Sequence, residues 1–204
     1  MPQDPSTPDT ELRIAQHPDH ISDVRMALRF LTDNYGLTAE EGGEQGSGYV
    51  LIGHSAGATL AFQLFMTEDA LSDSIPQPAA VIGISGIYDL VGLDDRHTGY
   101  TGFISSAFGD SREDWKRASP ATYSGNFARN WTADKPTILA WSADDTLIDE
   151  PEIDAMNTKL SQDGIRVSVI KDLTGEHDDV WKEGSQIQRL VELVIKDLQK
   201  GRNT

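Results

Sequence analysis

Apolar positions along the chain recur with two periods. Between Asp19 and Tyr35 they fall at Ile21, Val24, Leu28, Leu31 and Tyr35, steps of three, four, three and four residues, with Gly36 where a helix would stop. That spacing predicts a helix. "YVLIG" (49–53), "AAVIGIS" (79–85), "TILAWSA" (137–143) and "RVSVIKDL" (166–173) are short runs of strand length. The first is apolar on both faces and ends in glycine, as expected of a strand in a covered parallel sheet. Helical patterns fill 56–67, then 150–164 with Pro151 near its start and Gly164 at its end, then about 185–200 with Ile187, Val191, Val194 and Leu198 on one face. Strands alternating with helices predict an α/β domain built on a parallel sheet with helices on both faces.

Three stretches carry no such period. Residues 1–18 are rich in Pro, Asp and Thr and read as an irregular arm; "EEGGEQGSG" (40–48) reads as a loop. Residues 86–135 mix Gly, Asp and aromatic side chains and read as a pocket- or cap-like insertion within a single domain, 19–204. There are no internal repeats.

Composition narrows the function. The 204 residues suffice for one domain with a sizeable core. A formal net charge of -16 argues against nucleic acid or an anionic membrane as partner, both being of the same sign. The absence of cysteine excludes disulfides, a thiol nucleophile and cysteine metal sites. "MPQDPSTPDTELR" has no apolar core, so no signal peptide is expected, and no apolar run approaches the ~20 residues of a membrane helix. A cytoplasmic, soluble protein is the expectation.

The chemistry enters with Gly53-His54-Ser55-Ala56-Gly57, a G-x-S-x-G motif set after a predicted strand and before a predicted helix. A sharp turn there would lift the serine hydroxyl above the sheet, with the helix N-terminus beneath it to stabilise developing negative charge. Glycines on both sides would let strand and helix backbones approach. A serine nucleophile needs a base, and the base an orienting carboxylate, in the chain order Ser, Asp or Glu, His. Only His97 and His177 follow the serine. His177, in "LTGEHDDVW" after the last predicted strand, stands where the base belongs, whereas His97 reads as a surface-loop residue. Asp144, Asp145 and Asp149 all follow "TILAW" and remain alternatives for the acid, since each could equally be a turn residue or a helix cap.

The chain resembles the fungal kynurenine formamidases, α/β-hydrolase enzymes that hydrolyse N-formyl-L-kynurenine, from about His17 onward. "GHSAGATLAFQL" is similar to the family's serine block and "VIGISGIYDL" to its next strand and turn; "YTGFISSAFGD" and "ASPATY" follow in family order. "WSADDTLID" resembles the acid block with Asp145 in the matching place, and "GEHDDVWKEG" the block around the base. The resemblance implies an α/β-hydrolase fold, a triad of Ser55, Asp145 and His177, and an oxyanion donor at the N–H of Ala56. It implies N-formyl-L-kynurenine as the small-molecule substrate in tryptophan catabolism, with no cofactor and no metal; homodimerisation stays open. Tyr88, Tyr100, Phe103, Phe108 and Trp181 are the candidate pocket aromatics. The family carries an H-G-G-x-W block that supplies further oxyanion donors, and this chain has no such block, its one Gly-Gly being Gly42-Gly43. A family member short of its N-terminal portion is therefore expected, with a partly truncated sheet, an open edge at "YVLIG" and weakened catalysis. A generic carboxylesterase and a catalytically weak remnant are the competing expectations.

Overall fold

A computed structural model describes residues 15–37, 48–66, 75–132 and 134–201. Most of the irregular arm and of the Gly/Glu loop, Gly42-Gly43 included, lies outside these residues. Four strands, β1 (Val50–His54), β2 (Ala80–Ile84), β3 (Thr137–Ser142) and β4 (Val167–Leu173), form one parallel sheet in the order β1-β2-β3-β4. The register places His54 beside Ile84, Ile82 beside Ile138 and Ile138 beside Ser168. All four carboxyl ends therefore open on one rim.

Side chains of a strand alternate between faces, and both faces here are apolar. Ala80, Ile82, Ile84, Ile138 and Ala140 look toward helix α8 (Ser185–Gly201), which buries Leu190 and Val194 against them. Each such fully buried side chain contributes roughly 1.5–3 kcal/mol. The opposite face, through Val81, Leu139 and Trp141, packs on α1 (Asp19–Tyr35), α2 (Ala56–Gln63) and α6 (Glu150–Gln162). The sandwich of helix, sheet and helix expected from the sequence is present. Helix α2 ends earlier than the apolar pattern suggests. After Gln63 the N–H groups of Phe65 and Met66 bond three residues back, which tightens the chain into a turn.

The stretch without period resolves into short helices. These are α3 (Leu90–Arg96), α4 (Thr101–Phe108) and α5 (Arg112–Ala118), interleaved with 3₁₀ turns. Asp89 caps α3 by accepting from Gly92 N–H, and Ser111 caps α5 by accepting from Asp114 N–H. Helices of seven or eight residues span only two turns, too few for periodicity to show. Their apolar faces gather Leu90, Leu93, Ile104, Trp115 and Ala118 around Ile148, a residue of the loop after β3. This third cluster sits at the rim where the strands end. A short helix α7 (Asp179–Lys182) follows β4.

β1 is a terminal strand of the sheet, and its Ile52 is 39% exposed. Met26, Phe30 and Tyr35 on α1 are also exposed. Among the described residues no helix is long and apolar enough to cross a membrane.

Candidate active site

Ser55 is the first residue beyond β1, and its backbone adopts φ 55° and ψ -126°. A non-glycine residue at positive φ is strained, and such strain gathers at functional sites. Two main-chain bonds hold the conformation: Ser55 N–H donates to Ile84 O at 2.9 Å, and Ala58 N–H donates to Ser55 O at 2.9 Å. The Ser55 side chain does not cap α2, so the hydroxyl is not committed to the helix. Among the described residues the N–H groups of Ala56 and Gly57 find no main-chain acceptor, as first-turn donors commonly do not. The close approach of strand and helix rests on one glycine. A Cβ at Gly53 would meet Gly57 O at 2.3 Å and Ala58 Cα at 2.6 Å, whereas one at Gly57 would meet nothing within 4 Å. The sequence expectation that both flanking glycines serve this contact is corrected to Gly53 alone.

Asp145 follows β3 and His177 follows β4, and the two side chains meet in a buried pair. His177 Nδ1–H donates to Asp145 Oδ2 at 2.9 Å, which leaves Nε2 as the lone-pair nitrogen. Asp145 Oδ1 accepts from Leu147 N–H and Ile148 N–H, each at 2.9 Å. Burial opposes the Asp145 charge. The hydrogen bonds from His177, Ile148 and Leu147, with the Ser85 hydroxyl nearby, outweigh it and hold the carboxyl below its ordinary range. Among the described residues no hydrogen bond joins Ser55 to His177. The carboxylate–imidazole link is made and the imidazole–hydroxyl link is not; in unliganded sites such links are often long.

Asp144 does different work. Its Oδ2 accepts from Gly175 N–H at 3.0 Å, while Ser142 Oγ donates to Gly175 O at 2.7 Å and Thr146 Oγ1 to Glu176 Oε2 at 2.7 Å. These bonds lash the loop carrying Asp145 to the loop carrying His177. A fourth tie comes from β1, where His54 Nε2–H donates to His177 O at 2.9 Å. Burial, then the neighbouring His177, lower the His54 pKa from its ordinary value and favour the neutral ring.

His97 and Asp149, the other candidates, pair with each other at 2.9 Å. Asp149 also takes Arg96 Nε, and the same guanidinium reaches Glu152. The two carboxylates on Arg96 titrate apart. At Asp149 burial raises the pKa, but the bonds from Arg96 and His97 bring it below normal. At Glu152, buried on α6, burial wins and pushes the carboxyl up to about 7 despite donors from Asp89 N–H, Tyr88 N–H and Arg96. Glu152 thus clamps the turn after β2 to the helix after the loop that carries Asp145. Sequence reading missed it because it looks like any polar residue on a helix.

The pocket aromatics divide. Tyr88 is 1% exposed and packs edge-on to Phe62 in the core; Phe108 packs with the third cluster. Both leave the candidate set. Tyr100 donates its hydroxyl to Leu147 O beside Asp145, and Phe103 stands next to Tyr100, 38% exposed. Trp181 is 50% exposed on α7, just past His177.

With the geometry in place, likeness to known proteins bears on it. The family model BD-FAE matches residues 11–178. The kynurenine formamidase-like hydrolase fscH of Fusarium equiseti is 34% identical over 91% of this chain, and the kynurenine formamidase avaC of Aspergillus versicolor is 33% identical over 85%. The chain spans 61% and 66% of the lengths of these two relatives. The crystal structure of carboxyl esterase 2 from Tuber melanosporum superposes with a TM-score of 0.63 at 18% identity, covering 91% of this chain and 63% of that one. The fold is that of the α/β-hydrolases.

Proposed function

The chain belongs to the BD-FAE family of α/β-hydrolases, and from that premise we propose that it is a serine hydrolase of kynurenine formamidase type, cleaving N-formyl-L-kynurenine to L-kynurenine and formate. The observation that carries this reading is the buried Asp145–His177 pair, made at the rim where the strained Ser55 leaves β1. In the reaction His177 Nε2 takes the Ser55 proton as Oγ attacks the formyl carbon. The Nδ1–H bond to Asp145 fixes the tautomer and stabilises the imidazolium. The tetrahedral oxyanion draws on the Ala56 N–H at the start of α2. His177 returns the proton to the departing arylamine, and water then releases formate from formyl-Ser55.

The formyl group is too small to supply specificity, so recognition falls on the aryl part. Tyr100, Phe103 and Leu147 gather beside the acid, and the exposed Trp181 follows the base by four residues, apolar surface suited to an aromatic ring. The segment 86–135 is the pocket wall of the single domain. The relatives' names support the formamide; the esterase likeness is one of fold.

The test is hydrolysis of N-formyl-L-kynurenine and a p-nitrophenyl ester by the same preparation. Preference for the formamide in kcat/KM, lost in Ser55→Ala, is expected. Preference for the ester would make the protein a general esterase, and no Ser55-dependent turnover of either would refute the hydrolase reading.

A further inference from the structure

Asp145 offers about four lone-pair sites on its two carboxylate oxygens. Leu147 and Ile148 N–H fill two on Oδ1, and His177 fills one on Oδ2. One acceptor site on Oδ2 has no well-formed bond. Beside it lies a donor in the same condition. Ser85 is 1% exposed, and its Oγ makes no well-aligned hydrogen bond although it stands close enough to the Asp145 carboxylate to help hold it ionised. A buried hydroxyl without a partner is costly, and a vacant acceptor next to it resolves the cost with a small rotation.

The backbone supports the same reading. Ser85 leaves β2 as Ser55 leaves β1, one register step past the paired His54 and Ile84. Its φ is 45°, and these two serines are the non-glycine residues at positive φ among the described residues. Ser85 N–H donates to Ala140 O at 2.9 Å, so the turn is anchored to β3, the strand that leads to Asp145. Glycine would relieve the strained φ, yet the chain carries a hydroxyl there.

We infer that Ser85 is a positioning residue of the site, its hydroxyl donating to the free site on Asp145 Oδ2 and fixing the carboxylate plane that His177 reads. The inference rests on the triad proposed above but not on the identity of the substrate. The other titratable groups facing Asp145 are His177, His54 and Tyr100.

The test uses the whole chain in a Ser55→Ala background and reads the low-field Nδ1 proton of His177 by NMR, with Ser85→Ala and Ser85→Gly compared. Loss of the Ser85 donor leaves Oδ2 a stronger acceptor, so the resonance should move further downfield in both variants. Ser85→Gly should also melt higher than Ser85→Ala, because glycine relieves the backbone. In the Ser55 background kcat/KM should fall about 10-fold in both, the scale of one hydrogen bond to a charged group. An unmoved resonance in both variants would overturn the inference. A moved resonance in a protein that hydrolyses no formamide would refute the substrate and sustain the role of Ser85.

Discussion

His54 Nε2 reaches the main-chain carbonyl of His177 at 2.9 Å, and their rings lie 4.5 Å apart. The residue before Ser55 thus holds the loop that carries His177, and the undefined second position of G-x-S-x-G acquires a structural reason in this chain.

Replacing His54 with Ala should free that loop. A neutral hydrogen bond is worth about 1 kcal/mol, so kcat should fall about 5-fold with little change in KM, and His54→Gln, which keeps a donor, should recover part of it. The lowered His54 pKa means that the unfolded chain binds a proton there at a pH where the folded chain does not. The stability it contributes is complete above ~6.5 and declines as pH falls through the lower folded value. Denaturant melts at pH 7 and pH 5 should show a steeper loss in the wild type than in His54→Gln.

The two carboxylates of "DD" should separate cleanly. Asp145→Asn puts an amide where Nδ1–H needs an acceptor of fixed geometry, and triads treated this way lose about 10⁴-fold in kcat. Asp144→Asn keeps an oxygen for Gly175 N–H and should lose far less. Steady-state kinetics on both variants decide it; a larger loss in Asp144→Asn would move the acid to that residue.

The two glycines of the elbow should respond oppositely. Gly53→Ala drives a Cβ into the backbone of Gly57, which neither strand nor helix can yield without opening the turn. A loss of more than ~3 kcal/mol is expected, visible as a collapse in thermal midpoint. Gly57→Ala places its methyl in open space near the start of α2 and should leave the midpoint equal or higher.

Glu152 gives the fold a pH dependence of the reverse sign. Its folded pKa of about 7 exceeds the ordinary glutamate value of 4.5, so between these values the folded chain holds a proton that the unfolded chain has released. Stability should therefore fall as pH rises from about 4.5 to 7 and then level, by at most ~3 kcal/mol. Glu152→Gln should remove that slope in urea titrations across the same range. A slope unchanged in the variant would place the titrating group elsewhere.

The strands and long helices were legible because burial on both faces leaves an apolar run, and burial on one face leaves a 3.6-residue stripe; Val194 and Leu190 show the second, Ile82 and Ile84 the first. The turn at Ser55 was legible because a tight strand-to-helix turn needs glycine in a fixed place. What stayed hidden depends on contacts between distant segments. Nothing local to Glu152 says that it will accept the N–H groups of Tyr88 and Asp89, 64 and 63 residues away. Tyr88 suggested a pocket because an aromatic ring looks alike in a core and in a cleft. Helices α3 to α5 were too short to print a period.

The sequential order of the strands has a consequence for how the site comes into being. Ser55, Asp145 and His177 follow β1, β3 and β4, so space repeats the order of synthesis. Of these three strands, the one before Ser55 emerges from the ribosome first and the one before His177 last. Pairing of β4 with β3 joins residues close in sequence, whereas the contact of His54 with His177 closes a loop of 123 residues and bears the larger entropic cost. A nascent chain stalled before β4 can hold a strained serine without a base. On the proposed triad, gain of reactivity at Ser55 would therefore report the final docking step of folding.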